Sequence, residues 1–376
     1  MDTPIRDSRL FSIYDNAMTD NRLSREEGVA LFESDDLAGV GFIADQARER
    51  KARETVFWVR NLHINYTDIC AAGCTFCSFA RTKPEDGYVY SHERTAQEVS
   101  AYRGHLAEIH IVGGLNGRIP WDYYPEMIRT IKRVRPEAHV KAFTMVELDF
   151  FARKFKREVA DILEELKEAG LDTCPGGGAE VFSERLHSHM FRHKAGARRW
   201  LEVAETCHNH GVKTNATLLF GHLETYAERS AHFDYLRKLQ DKTGGFMAFV
   251  PLAYHPDNND LEVEHGPSAI EILKTVAVAR LMLDNFTHIK AYWILMGERM
   301  AQLSLGWGAN DIDGTVIQEK IYHRAGAPTP MAVTPRRLES LIRAMGRVPQ
   351  ERDARYEVPS WAQSEVSLLE PERVAV

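Results

Sequence analysis

The chain has 376 residues, 44% hydrophobic and 27% charged, a balance typical of a folded globular protein and too apolar for a disordered one. Forty-seven Lys and Arg stand against 54 Asp and Glu, a net charge of −7, which offers a nucleic-acid backbone little attraction. Five cysteines are too few, and odd in number, for a disulfide scaffold. No apolar run approaches the ~18 residues a membrane span needs, and Met1-Asp2-Thr3-Pro4-Ile5-Arg6 lacks the layout of a signal peptide. The expectation is a cytoplasmic domain with reduced cysteines, bound to neither membrane nor nucleic acid.

Residues 1–55 read as a helical extension, with a capping box at Ser24-Arg25-Glu26-Glu27. From Phe57 onward, short β-rich runs alternate with amphipathic stretches. Strands are expected near 58–66, 107–112, 139–145, 171–174, 212–220, 246–252, 288–295 and 304–309. Helices are expected near 149–169, 198–209, 225–240 and 267–284. Such alternation means βαβ units and a parallel sheet. Eight strands in about 250 residues have the size of a (β/α)8 TIM-type barrel. The predicted fold is therefore α/β: an extension over 1–55, a barrel over 56–330, and a C-terminal helix and surface tail over 331–376.

The first predicted strand runs into Cys70-Ala-Ala-Gly73-Cys74-Thr-Phe76-Cys77, a C-x3-C-x2-C spacing. Thiolates this close on one loop reach three corners of a small cluster, and Gly73 permits the tight turn. Three ligands leave one iron of a [4Fe–4S] cluster open. A structural zinc site with His63 or His92 as fourth ligand is the alternative, although zinc motifs usually add a second downstream pair. Cys174 and Cys207 lie in separate elements.

The loop resembles that of the radical S-adenosylmethionine family, with Phe76 at the aromatic position before the last cysteine. The resemblance implies that Cys70, Cys74 and Cys77 hold the cluster, and that the open iron binds S-adenosylmethionine. It also implies that Gly113-Gly114, after the second strand, receives the methionine amino group. Glu180, at the end of Cys174-Pro-Gly-Gly-Gly-Ala-Glu180, is expected at the ribose hydroxyls. Asn215 and Thr217, on one face of the fifth strand by its period of two, are expected beside the adenine.

The downstream half resembles the subgroup of this family that serves the futalosine route to menaquinone and the formation of deazaflavin. Pro251-Leu-Ala-Tyr-His255-Pro256, Lys290-Ala-Tyr-Trp293 and Asp311-Ile-Asp313-Gly314-Thr315 favour the branch that forms 6-amino-6-deoxyfutalosine. The hydrogen-abstracting futalosine cyclase and the deazaflavin-forming synthase are the alternatives, and an iron–sulfur electron carrier is the alternative of another class. The implied enzyme is a transferase whose 5′-deoxyadenosyl radical adds to the double bond of 3-[(1-carboxyvinyl)oxy]benzoate, with a low-potential donor such as flavodoxin or ferredoxin. S-adenosylmethionine is then a co-substrate. A substrate with two carboxylates calls for basic or amide groups at the strand ends; the candidates are His110, His255, Arg280, Lys290 and Asn310.

Overall fold

The computed structural model describes residues 3–19 and 21–362. The N-terminal extension forms helices Arg9–Met18, Arg25–Glu33 and Leu37–Ala52. The second begins at the expected capping box: Ser24 Oγ accepts from Glu27 N, and Glu27 Oε2 accepts from Ser24 N. This satisfies two first-turn donors reciprocally. Ion pairs from Arg25 to Asp234 and from Arg22 to Asp241 and Asp284 tie the extension to the layer behind it. Its second and third helices pack on helices Tyr226–Thr243 and Ala269–Met282.

Among the described residues nine strands follow: β1 Thr55–Val59, β2 Asn61–Ile64, β3 Glu108–Ile111, β4 His139–Ala142, β5 Thr214–Phe220, β6 Phe246–Ala253, β7 His288–Ile289, β8 Asp311–Gly314 and β9 Val348–Arg352. They form three sheets in the orders β8-β1-β9, β2-β3-β4 and β5-β6-β7, and their ladders are parallel. Strands β2, β4, β5 and β6 are buried along their whole length, as parallel strands covered on both faces are. Isolated parallel bridges join Leu62 of β2 to Ile317, just beyond β8, and Lys290, just beyond β7, to Asp311 of β8. Two more, Lys141 to Thr173 and Cys174 to Thr214, put residues 173–174 between β4 and β5. That is where sequence placed a fourth strand. Among the described residues no helix is long and apolar enough to cross a membrane.

Several elements differ from expectation. The one strand predicted over 58–66 is two, β1 and β2. The helix predicted over 149–169 is two helices, Met145–Phe155 and Val159–Ala169, separated at Lys156 in the left-handed region (φ +52°). The strand predicted over 288–295 is regular only at His288–Ile289, with one further bridge at Lys290, because Trp293 opens the helix Trp293–Ser304. A short continuous apolar run does not distinguish strand from buried helix by period. The strand expected at 304–309 lies instead at Asp311–Gly314. Acids and glycine are depleted in strands, but here the acids are paired: Asp311 with Arg352 at 2.7 Å and Asp313 with Lys290 at 3.6 Å.

The C-terminal stretch holds helix Pro335–Arg343, capped by Thr334, and then β9, which sequence did not predict. β9 pairs with β1 from Thr55–Val348 to Val59–Arg352. Beyond it the Tyr356 ring stacks on His288 at 3.5 Å, and Trp361 stacks on His105 at 4.8 Å. The segment predicted to be a surface tail is thus packed as far as residue 362. The Glu- and Ser-bearing end beyond that lies outside the described residues.

Candidate active site

The three clustered cysteines lie on the loop that leaves β2. Backbone hydrogen bonds from Cys70 to Arg81 (3.0 Å), from Arg81 to Asp68 (2.7 Å) and from Thr75 to Met190 (3.0 Å) pin it down. Arg324 Nη1 donates to Asp68 Oδ2 at 2.7 Å and braces the loop from outside. Gly73 has φ +59° and nothing within 4 Å of an added Cβ, so backbone conformation rather than space selects glycine there. Burial pushes the Cys74 thiol up to about 12 and raises that of Cys77. Coordination to iron reverses that preference, because a metal-bound thiol is deprotonated.

The donor chemistry fits a cluster better than a single ion. Zinc needs four donors converging at about 2.0–2.3 Å. Among the described residues no three His, Cys, Asp or Glu side chains converge on one ion position. His92, one proposed fourth ligand, faces the Tyr123 carbonyl at 3.2 Å, away from the cysteines' cavity. Three thiols around a shared space suit a [4Fe–4S] cluster with one open iron.

That space is a cavity of about 270 Å³ at the C-terminal ends of the strands. Every site residue expected from sequence lines it except Arg280 and Asn310. An added Cβ on Gly113 would stand 2.5 Å from the Tyr66 ring, and one on Gly114 would stand 2.4 Å from the Ile69 carbonyl. The glycine pair therefore lets the end of β3 press against the cysteine loop. Gly113 N donates to Glu147 at 3.1 Å, and Gly114 N donates to the Thr67 carbonyl at 2.9 Å.

Glu180 sits in the left-handed region at φ +47° and is hydrogen-bonded to Lys194. Lys194 Nζ lies 5.3 Å from the centre of the Phe76 ring and 4.9 Å from that of Phe191, a cation over two aromatic faces. On β5, Asn215 Oδ1 is buried and has no hydrogen-bond partner among the described residues. A buried orphan acceptor in a cavity wall marks a place for a ligand donor. Thr217 instead donates its hydroxyl to the Gly176 carbonyl at 2.8 Å.

The floor of the cavity is polar. Register across β2, β3 and β4 sets His63, His110 and Lys141 side by side. The two imidazoles stack at 4.5 Å and 9°. Burial, and then the neighbouring His110, hold the His63 pKa well below its ordinary value, so the ring is neutral. Burial disfavours the charge of Glu108, but Lys141 beside it keeps the carboxylate ionised. Lys290, from the end of β7, is paired only loosely with Asp313, at 3.6 Å. His255 lines the mouth, with Nε2 2.8 Å from the Leu295 carbonyl.

Arg280 is the correction. Its Nε donates to the Gly308 carbonyl at 2.7 Å, Nη1 to the Phe286 and Thr287 carbonyls, and Nη2 to Asn310 Oδ1 at 2.7 Å. It is fully buried behind β7 and β8, and burial lowers its pKa to about 9. The guanidinium braces loops and faces no substrate space. Asn310 belongs to the same brace, since its Oδ1 also accepts from Ile289 N at 3.0 Å. Sequence reasoning missed Lys194 and Glu147. Nothing marked Lys194 in the polar run Arg192-His-Lys194. Glu147 was legible as the fourth residue of the capping box that starts at Thr144, a box the structure contains.

Three thiols over a cavity with an orphan amide and a buried acid–lysine pair fit an enzyme that works through a cluster with an open iron. Residues 64–236 match the model of the Radical SAM superfamily, and residues 243–365 match that of the CofH/MqnC C-terminal region. The aminodeoxyfutalosine synthase of Thermus thermophilus is 44% identical over 95% of this chain and 98% of its own. That of Streptomyces coelicolor is 41% identical over 90% of each. Among solved structures, methylornithine synthase aligns with a TM-score of 0.70 at 16% identity, covering 90% of this chain and 97% of that one, a likeness of fold. The chain belongs to the radical SAM superfamily and, within it, to the family of the aminodeoxyfutalosine synthases.

Proposed function

We propose that this protein forms 6-amino-6-deoxyfutalosine from S-adenosylmethionine and 3-[(1-carboxyvinyl)oxy]benzoate, a step towards menaquinone. The observation that carries this reading is the near full-length match to two aminodeoxyfutalosine synthases. The three sheets and the bridges between them support one (β/α)8 barrel with its active site at the C-terminal face. The cluster, held by Cys70, Cys74 and Cys77, supplies when bound the electron that splits the sulfonium into methionine and the 5′-deoxyadenosyl radical. The radical adds to the enol-ether carbon. The aryl group then migrates from oxygen to carbon, and the carboxyl group is expelled carrying the odd electron; return of that electron to the bound cluster would leave carbon dioxide or bicarbonate and a closed-shell product.

The chain's own residues bind and orient. Gly113 and Gly114 offer backbone to the methionine part, Glu180 with Lys194 faces the ribose, and Asn215, Thr217 and Phe76 line the nucleoside. Lys290, His110 and His255 position the two carboxylates, which is where displacement by ~1 Å can cost ~100-fold in rate. The donor is a low-potential protein such as flavodoxin or ferredoxin, in the cytoplasm. The test is anaerobic reconstitution followed by reaction with both substrates under a chemical reductant. A product with the mass of aminodeoxyfutalosine is expected. Release of 5′-deoxyadenosine alone would overturn the reading.

A further inference from the structure

Glu147 is 1% exposed and lines the cavity, yet both its oxygens are occupied by the chain itself. Oε1 accepts from Tyr66 Oη at 3.0 Å and Gly113 N at 3.1 Å. Oε2 accepts from Thr144 N at 2.8 Å and Thr144 Oγ1 at 2.9 Å. These donors follow three adjacent strands: Tyr66 after β2, Gly113 after β3 and Thr144 after β4. One carboxylate therefore fixes three strand ends relative to one another.

From Gly113 the constraint runs to the cysteine loop in two residues. Gly114 packs so tightly on Ile69 that a Cβ would lie 2.4 Å from its carbonyl oxygen. Leu115 N then donates to Cys70 Sγ at 3.3 Å, and the Leu115 carbonyl accepts from Ala71 N at 3.0 Å. Residues 113–115 are a short strut with Glu147 at one end and a thiol of the site at the other. Hydrogen bonds to ligand sulfurs are one of the levers on a cluster's reduction potential.

Cys70 Sγ also accepts from Ala72 N at 3.5 Å, within its own loop. We propose that Glu147 is a positioning residue that, through the strut 113–115, sets the Leu115 amide hydrogen bond on Cys70 and with it the reduction potential of the cluster. This rests on the reading of Cys70 as a cluster ligand. Such a bond favours the reduced, more negative cluster, so loosening it makes reduction harder.

The test is Glu147→Gln in the reconstituted holoenzyme. The amide keeps the shape but turns an NH2 towards one pair of donors, so Gly113 or Thr144 must move. A redox titration followed by the electron paramagnetic resonance of the reduced cluster, without S-adenosylmethionine, reads the potential directly. The variant is expected to load as much iron as wild type and to titrate at a more negative potential. Tyr66→Phe, which removes one donor and leaves the bond to Gly113, is expected to shift it less. A fully loaded Glu147→Gln protein that titrates with wild type overturns the proposal. Wild type that takes up no cluster overturns the underlying reading instead. If the glutamine variant does not fold, Glu147→Asp, shorter by one methylene, is titrated with the same two outcomes.

Discussion

Cys70, Cys74 and Cys77 share a cavity, whereas Cys174 and Cys207 are fully buried in the core. Replacing any of the first three with Ala should abolish the cluster's visible absorption and all turnover. Cys174→Ala and Cys207→Ala should keep both, and absorption spectra of the five variants decide it. Hydrogen bonds to a charged group are each worth about 1.5–3 kcal/mol. Glu180→Ala should therefore weaken S-adenosylmethionine binding tenfold or more with the cluster loaded; unchanged affinity would move the ribose contact elsewhere. A third residue carries a pH dependence. The hydrogen bond with Glu319, 3.2 Å from Nδ1, raises the His323 pKa to about 8 from 6.5. A raised histidine pKa adds stability that is fully present below 6.5 and lost as pH rises through 8. At 1.36 kcal/mol per pKa unit the ceiling is about 2 kcal/mol, and solvent screening at this partly exposed ring brings it to about 1 kcal/mol or less. The stability difference between wild type and His323→Gln should shrink between pH 6 and pH 9, and equal differences at both would count against it. The cysteines and glycines were legible because their spacing is local. Arg280 was misread because sequence does not show that its four partner residues, Phe286, Thr287, Gly308 and Asn310, converge on it.

At the scale of elements, regular βαβ alternation made β3 to β6 readable, and composition misled wherever a strand carries charge. β8 holds Asp311 and Asp313 inside the fold, and β9 contains Pro349, which an edge strand tolerates because its N–H side need not pair. The two strands meet through Arg352 and Asp311, both buried, with nitrogen and oxygen 2.7 Å apart. Removing one partner of a buried ion pair typically costs 3–5 kcal/mol. Arg352→Leu should lower the unfolding free energy by about that much in urea titrations. Asp311→Asn added to it should recover part of the loss. A single variant within 0.5 kcal/mol of wild type, which is the usual range for surface substitutions, would show that β9 is dispensable.

For the whole molecule, the count of strands and helices anticipated an α/β architecture, and the cysteine loop anticipated where chemistry would gather. The polar floor of His63, Glu108, His110 and Lys290, with Lys141 paired to Glu108 behind it, was only partly legible, because it depends on a register between strands that is not local in sequence. The most direct measurement follows the atoms. S-adenosylmethionine labelled with carbon-13 at the adenosyl 5′ position is reacted with enolpyruvyl benzoate deuterated at its vinyl carbon. The account predicts one S-adenosylmethionine consumed per product, the labelled carbon bonded to the former alkene, and no deuterium in any 5′-deoxyadenosine released. Label found wholly in free 5′-deoxyadenosine, with no adenosylated adduct, would contradict it and place the enzyme among hydrogen-abstracting relatives.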